Sequence, residues 1–165
     1  MIRLLTILPS FSGGGAERVA LNILGQLDKL KFDKTLIAIS GEGPLRTLQS
    51  VDQYIDLKKM RLRSALLPLV RSIWDWRPDV IFSTFGHINL ALLILRPLLP
   101  TSTKLMLREA NLPSLSLPAS RNPKLFSWGY KRLYPYADLL LCSSERMREE
   151  FSRNFKIPDA KLAIV

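Results

Sequence analysis

Ser12-Gly13-Gly14-Gly15-Ala16-Glu17-Arg18 stands between a largely apolar run, Ile2 to Leu8, and a segment whose apolar residues recur at helical spacing from Ala16 onward. Successive glycines at a strand-to-helix junction reach positive φ and carry no Cβ, so the chain turns sharply and a ligand can approach its amides closely. A helix starting here directs unpaired N–H groups and the positive end of its dipole into the space above the loop, which suits a phosphate or carboxylate guest. Two readings of the glycines stand at this level: a tight turn alone, or an anion cradle.

Outward from the loop, the preceding run is stopped by Pro9-Ser10 and reads as a fully buried strand. Beyond it, Val19, Ala20, Ile23, Leu24, Leu27 and Leu30 form one helical stripe, with Glu17 in the first turn and Lys29 and Lys31 at the far end, as the helix dipole favours. The alternation continues along the chain. Strands are expected at 35–39, 54–57, 80–83, 104–108, 139–142 and 162–165, and helices at 45–50, 65–76, 89–95, 124–134 and 145–155. Leu66, Val70, Ile73 and Trp74 share a face of the 65–76 helix, whose start Pro68 limits. Residues 112–123, rich in Ser, Pro and Leu, read as a loop long enough for a functional or mobile segment. Strands alternating with helices describe βαβ units, so residues 1–165 are expected to form one α/β domain: a doubly wound parallel sheet, Rossmann-like and three-layered.

Ligands of such sheets bind beyond the carboxyl ends of the strands, where the strand order reverses. At that edge fall Gly13 to Gly15, Ser40-Gly41, Thr84-Phe85-Gly86-His87, Glu109-Ala110-Asn111 and Ser143-Ser144-Glu145.

With 47% hydrophobic and 23% charged residues, the 165-residue chain has globular composition. The single cysteine, Cys142, reads as a buried thiol and excludes a disulfide framework or a cysteine-based zinc site. The first apolar run is too short for a signal-peptide core, and the longest uncharged one, 88–95, falls below the ~18 residues of a membrane span. The reading is a cytoplasmic protein. A net charge of +10 attracts anionic partners. No zinc-finger spacing or aromatic RNA-binding signature accompanies it, so no nucleic-acid partner is expected. Lys58-Lys59-Met60-Arg61-Leu62-Arg63 is either a solvated basic loop or a patch for acidic lipid, with Trp74 or Trp76 at the interface.

The dinucleotide fingerprint fails because Arg18 takes the third glycine position and Ser40 ends the second strand, and no Gly-Lys-Ser/Thr follows the loop as in a P-loop. With one histidine and no serine elbow, a Ser-His-Asp hydrolase is disfavoured. Leu8-Pro9-Ser10 followed by Ser12 to Arg18 resembles the amino-terminal signature of the family 4 glycosyltransferases of the GT-B fold. So do Arg77-Pro78-Asp79-Val80-Ile81, Glu109 with Asn111-Leu112-Pro113, and Ala137-Asp138 through Ser143-Ser144-Glu145.

The resemblance covers the whole chain and implies a half-enzyme. Residues 1–165 would be the acceptor-side domain of a retaining hexosyltransferase acting on a glycan or lipid-linked acceptor in envelope or exopolysaccharide assembly. The nucleotide-sugar-binding C-terminal domain, with its paired glutamates, would be absent, and this segment alone inactive. No tightly bound cofactor and no metal are implied; the nucleotide-sugar is a co-substrate, its phosphates lying against Gly13, Gly14 and Gly15. The candidate catalytic residues are His87 and Glu109, and the acceptor-binding set is His87, Arg108, Glu109, Asn111 and Ser144.

Each of these has a plainer alternative. His87 is either structural or an acceptor ligand with a switchable charge. Arg108 either grips a phosphate or neutralises Glu109. Asn111 either binds acceptor or caps a turn, and Ser143 and Ser144 either line the cleft or cap a helix. The resemblance implies a histidine between Glu109 and Asn111 in many members, and this chain departs from that pattern with Ala110, which has no proton to transfer. The basic segments 58–63 and 121–132 suit a peripheral location at the inner face of the cell membrane. The rival reading is a free-standing Rossmann-like module that binds a phosphorylated sugar, nucleotide or partner chain without turnover.

Overall fold

The computed structural model describes residues 1–48, 51–120 and 122–165. Strands β1 (Ile2–Leu8), β2 (Phe32–Ala38), β3 (Gln53–Asp56), β4 (Val80–Ser83), β5 (Lys104–Arg108), β6 (Leu139–Cys142) and β7 (Leu162–Ile164) form one parallel sheet in the order β3-β2-β1-β4-β5-β6-β7. Between them run α1 (Gly15–Gln26), α2 (Leu62–Trp76), α3 (Gly86–Leu95), α4 (Pro113–Ala119), α5 (Pro123–Arg132) and α6 (Glu145–Phe155). Strand order reverses between β1 and β4, and the expected doubly wound sheet is what the chain forms.

Successive side chains of a strand point to opposite faces. Leu4 and Leu8 therefore pack with Leu36, Phe82 and the α1 residues Ala20, Leu21 and Leu24. Leu5 and Ile7 pack on the other side with Ile81, Leu105, Leu140 and the buried faces of α2, α3, α5 and α6. Both faces are apolar, which is why β1 reads as a run rather than an alternation. Cys142 is buried as expected, and burial pushes its thiol up to about 11.

Boundaries differ from expectation where distant residues intervene. Instead of reaching Leu30, α1 stops at Gln26, and Leu30 is 88% exposed. Asp28 makes the turn: its side chain accepts from the Leu30 amide and its carbonyl from those of Lys31 and Phe32. Lys29 and Lys31 therefore lie beyond the helix. The cation at its carboxyl end is Lys34, wholly buried on β2, whose Nζ donates to the carbonyls of Leu24 (2.9 Å) and Leu27 (3.3 Å). Lys34→Met keeps the stem but leaves those acceptors without their donor, and should lower stability by about 2 kcal/mol in urea titration. An unchanged midpoint would remove Lys34 from the list of stabilising residues.

The short 45–50 helix is a 3-10 turn, Pro44–Leu48; residues 49 and 50 lie outside the described residues. Helix α2 begins at Leu62 rather than 65, and Pro68 sits inside it, where it forgoes only the bond to the exposed Ser64. Its buried face is Ala65, Leu69 and Ile73, whereas Trp74 is largely exposed and donates to the Leu98 carbonyl. Much of the expected 112–123 loop is α4, started by Pro113 at its first turn and pinned by Glu150, which accepts from the amide and hydroxyl of Ser114. Helix α5 ends at Arg132, followed by a 3-10 turn over Tyr134–Tyr136, so the expected 124–134 helix splits in two.

Candidate active site

The glycine loop leaves β1 through Phe11 and Ser12. Phe11 exchanges backbone bonds with the 42–45 turn, accepting from Leu45 and donating to Glu42. Gly13 has φ +99°, and Gly14 caps α1. A Cβ on Gly14 would overlap Oε2 of Glu17, which is buried and accepts from the Ser12 hydroxyl at 3.1 Å. Glu17 thus folds back over the loop, so the carboxylate at the amino end of α1 comes from the helix itself.

Across the β1–β4 reversal, Thr84 ties the end of β4 to the start of α1, its hydroxyl donating to the Ala16 carbonyl at 3.4 Å. Helix α3 starts at Gly86 rather than 89, so His87 lies in its first turn, edge-on to Phe85 at 6.0 Å between ring centroids. His87 remains exposed at the surface, yet partial burial lowers its pKa below that of free histidine and favours the neutral ring at pH 7.

Glu109, just past β5, is buried. Asn89 donates to its Oε1 at 2.8 Å and to the Arg108 carbonyl at 3.0 Å. Tyr134 also donates to Oε1, and Tyr130 donates to Oε2 at 3.3 Å. A Cβ on Gly86 would stand 3.3 Å from both carboxylate oxygens, so the bare backbone is what lets Glu109 sit against the first turn of α3. Desolvation raises the Glu109 pKa, partly offset by the donors from Tyr134, Asn89 and Tyr130. Both tyrosines are pushed up by burial and by Glu109, and remain protonated donors. Their rings are held in an aromatic cluster: Tyr130 meets Tyr134 edge-on at 4.6 Å, and Tyr134 stacks on Phe151 at 5.9 Å.

Above this network lies a cleft of about 320 Å³, lined by Ala16, Thr84 to His87, Glu109 to Asn111, and residues of α4 and α5 including Ser116, Phe126 and Tyr130. The structure brings together His87, Glu109 and Asn111 of the expected set. Gly13, Gly14 and Gly15 precede the Ala16 wall without lining it. Arg108 and Ser144 are not among the lining residues. Arg108 makes no ion pair with Glu109 among the described residues, and Ser144 caps α6 by accepting from the Met147 amide at 3.3 Å. Asn89 and Tyr134 meet Glu109 only in the folded chain; the spacing of Tyr130 and Tyr134, one helical turn apart, is the local sign of the tyrosine pair, and Asn89 has none.

A doubly wound parallel sheet with a cleft at its strand-order reversal defines the molecule as a Rossmann-like α/β domain. The model of Glycosyltransferase Family 4 matches residues 13–165, and the chain belongs to that family.

No curated protein sequence matches it. Among solved structures, a glycosyltransferase from Rickettsia africae is 14% identical with a TM-score of 0.69, over 99% of this chain and 42% of that one. Anabaena HepE in complex with UDP-glucose is 13% identical with a TM-score of 0.66, over 100% and 43%. Sucrose-phosphate synthase from Thermosynechococcus elongatus is 12% identical with a TM-score of 0.69, over 100% and 48%. At these identities the likeness is one of fold, to the domain architecture of GT-B glycosyltransferases, and the chain spans less than half the length of each.

Proposed function

We propose that this chain is the acceptor-side half of a retaining glycosyltransferase that moves a sugar from a nucleotide-sugar to a glycan or lipid-linked acceptor in envelope or exopolysaccharide assembly. The observation that carries the reading is the cleft at the β1–β4 reversal of a family 4 chain, with His87, Glu109 and Asn111 on its walls. On this reading a neutral His87 exchanges hydrogen bonds with an acceptor hydroxyl. Glu109, whose oxygens already accept from Asn89, Tyr130 and Tyr134, holds α3 and α5 in place rather than abstracting a proton. The amides of Gly13 to Gly15 and the amino end of α1 receive the donor's diphosphate, stabilising charge on the leaving group.

The test is sugar transfer from a panel of nucleotide-sugars to glycan and lipid-diphosphate acceptors, using the chain together with any coding sequence that follows Val165 in its gene. Transfer is expected, and Gly14→Val, whose side chain would force the Glu17 carboxylate and the loop amides out of place, should lower kcat/KM about a hundredfold, as when one oxyanion-type donor is displaced. Binding of a phosphorylated sugar with no transfer to any acceptor would replace this reading with the binding-module one.

No helix among the described residues is long and apolar enough to cross a membrane. Exposed Lys58, Arg61 and Arg63 around the 98%-exposed Met60, and the basic α5, support docking at an acidic membrane surface. Co-sedimentation with vesicles should rise with their phosphatidylglycerol content; the same binding to neutral vesicles would sink the membrane assignment.

A further inference from the structure

Beside the cleft, α3 and α5 enclose a second space of about 230 Å³ whose lining is almost wholly apolar. Gly129 makes it possible: a Cβ there would overlap Cδ2 of Leu90, so the bare backbone brings the two helices together at the groove floor. Ile94, Leu125 and Trp128 form the rim and are 61%, 56% and 51% exposed. Three apolar side chains left in water around one concavity form a patch that a partner is expected to cover.

Two features decide what covers it. His87 and Phe126 line both spaces, so the cleft and the apolar groove adjoin and lie within reach of one molecule. Lys124, Lys131 and Arg132, on the same helix as the rim but outside both spaces, are exposed and have no ion-pair partner among the described residues, so α5 attracts an anionic amphiphile toward the groove. We infer that the groove is a subsite for the alkyl chain of an amphiphilic acceptor whose polar head occupies the cleft beside His87. The inference rests on the acceptor reading of that cleft and narrows the acceptor to one carrying a hydrocarbon chain.

The test titrates the protein with monomeric n-alkyl phosphates from butyl to decyl by calorimetry. Affinity should rise about fourfold per added methylene until the groove is filled, the gain expected for moving one methylene out of water. The double variant Ile94→Glu/Leu125→Glu changes two exposed side chains, so its melting temperature should match the parent, and it should abolish the dependence on chain length. His87→Ala should weaken every member by a similar factor and leave that dependence intact.

A flat chain-length series overturns the inference; if His87→Ala still weakens the short members, the acceptor reading of the cleft survives. A chain-length dependence that persists in the double variant moves the alkyl chain elsewhere and also overturns it. So does binding to phosphatidylglycerol vesicles with none to any alkyl phosphate, which would make α5 a surface anchor.

Discussion

Replacing Gly43 with alanine should lower stability by about 4 kcal/mol, a fall in Tm on the order of 10 °C for a domain of this length. Gly43 holds φ +131°, where side-chain-bearing residues are rarely found, and its Cβ would overlap the Phe11 carbonyl and stand 2.7 Å from the Ser12 amide nitrogen. Those neighbours are backbone, so no rotamer change relieves the contact. They also set the exit of β1 into the glycine loop, through the backbone bonds joining Phe11 to Glu42 and Leu45. Gly13 supplies the control. It too has positive φ, but its Cβ would meet only the Pro44 side chain at 3.7 Å, so Gly13→Ala should cost strain alone, about 1–2 kcal/mol. Equal losses for the two variants by thermal unfolding would show that overlap with Phe11 contributes nothing.

The second large effect belongs to Glu109. Glu109→Ala strips the acceptor from the buried hydroxyls of Tyr130 and Tyr134 and should lower stability by about 3 kcal/mol. Glu109→Gln keeps an acceptor and should lose less, but its pH dependence is the sharper readout. Because burial raises the Glu109 pKa, the folded protein keeps its proton at pH values where the unfolded chain has released it, near 4.5. The stability this contributes is complete below that value and is lost as pH rises through the folded pKa.

The advantage of the parent over Glu109→Gln should therefore shrink from acid pH upward. His87, Asp79 and Asp138, whose pKa values are lowered, act in the opposite sense but are common to both proteins and cancel in the difference. A difference that stays constant from pH 4 to 8 in urea titrations would mean that Glu109 titrates as it does in the unfolded chain.

Neither residue's weight is visible locally. Gly43 sits in Ser40-Gly41-Glu42-Gly43-Pro44, which announces a turn, but the demand for glycine comes from the Phe11 backbone packed against it. Glu109 stood out through the motif it shares with Asn111-Leu112-Pro113. Its burial and its three donors appear only when α3 and α5 are assembled over the end of β5.

By itself the sequence determined the alternation of strands and helices, hence a parallel sheet with the glycine loop and His87 at its carboxyl edge. Those features follow from periodicity and backbone freedom, which are properties of neighbouring residues. Tertiary structure decided what caps the end of α1, because Lys34 reaches its last carbonyls from β2. It turned part of residues 112–123 into α4, held by Glu150 of α6. It also spent Ser144 on a helix cap and laid Glu17 over Gly14. Each of these outcomes depends on which distant group supplies a buried donor or occupies a space, and only the folded chain settles that.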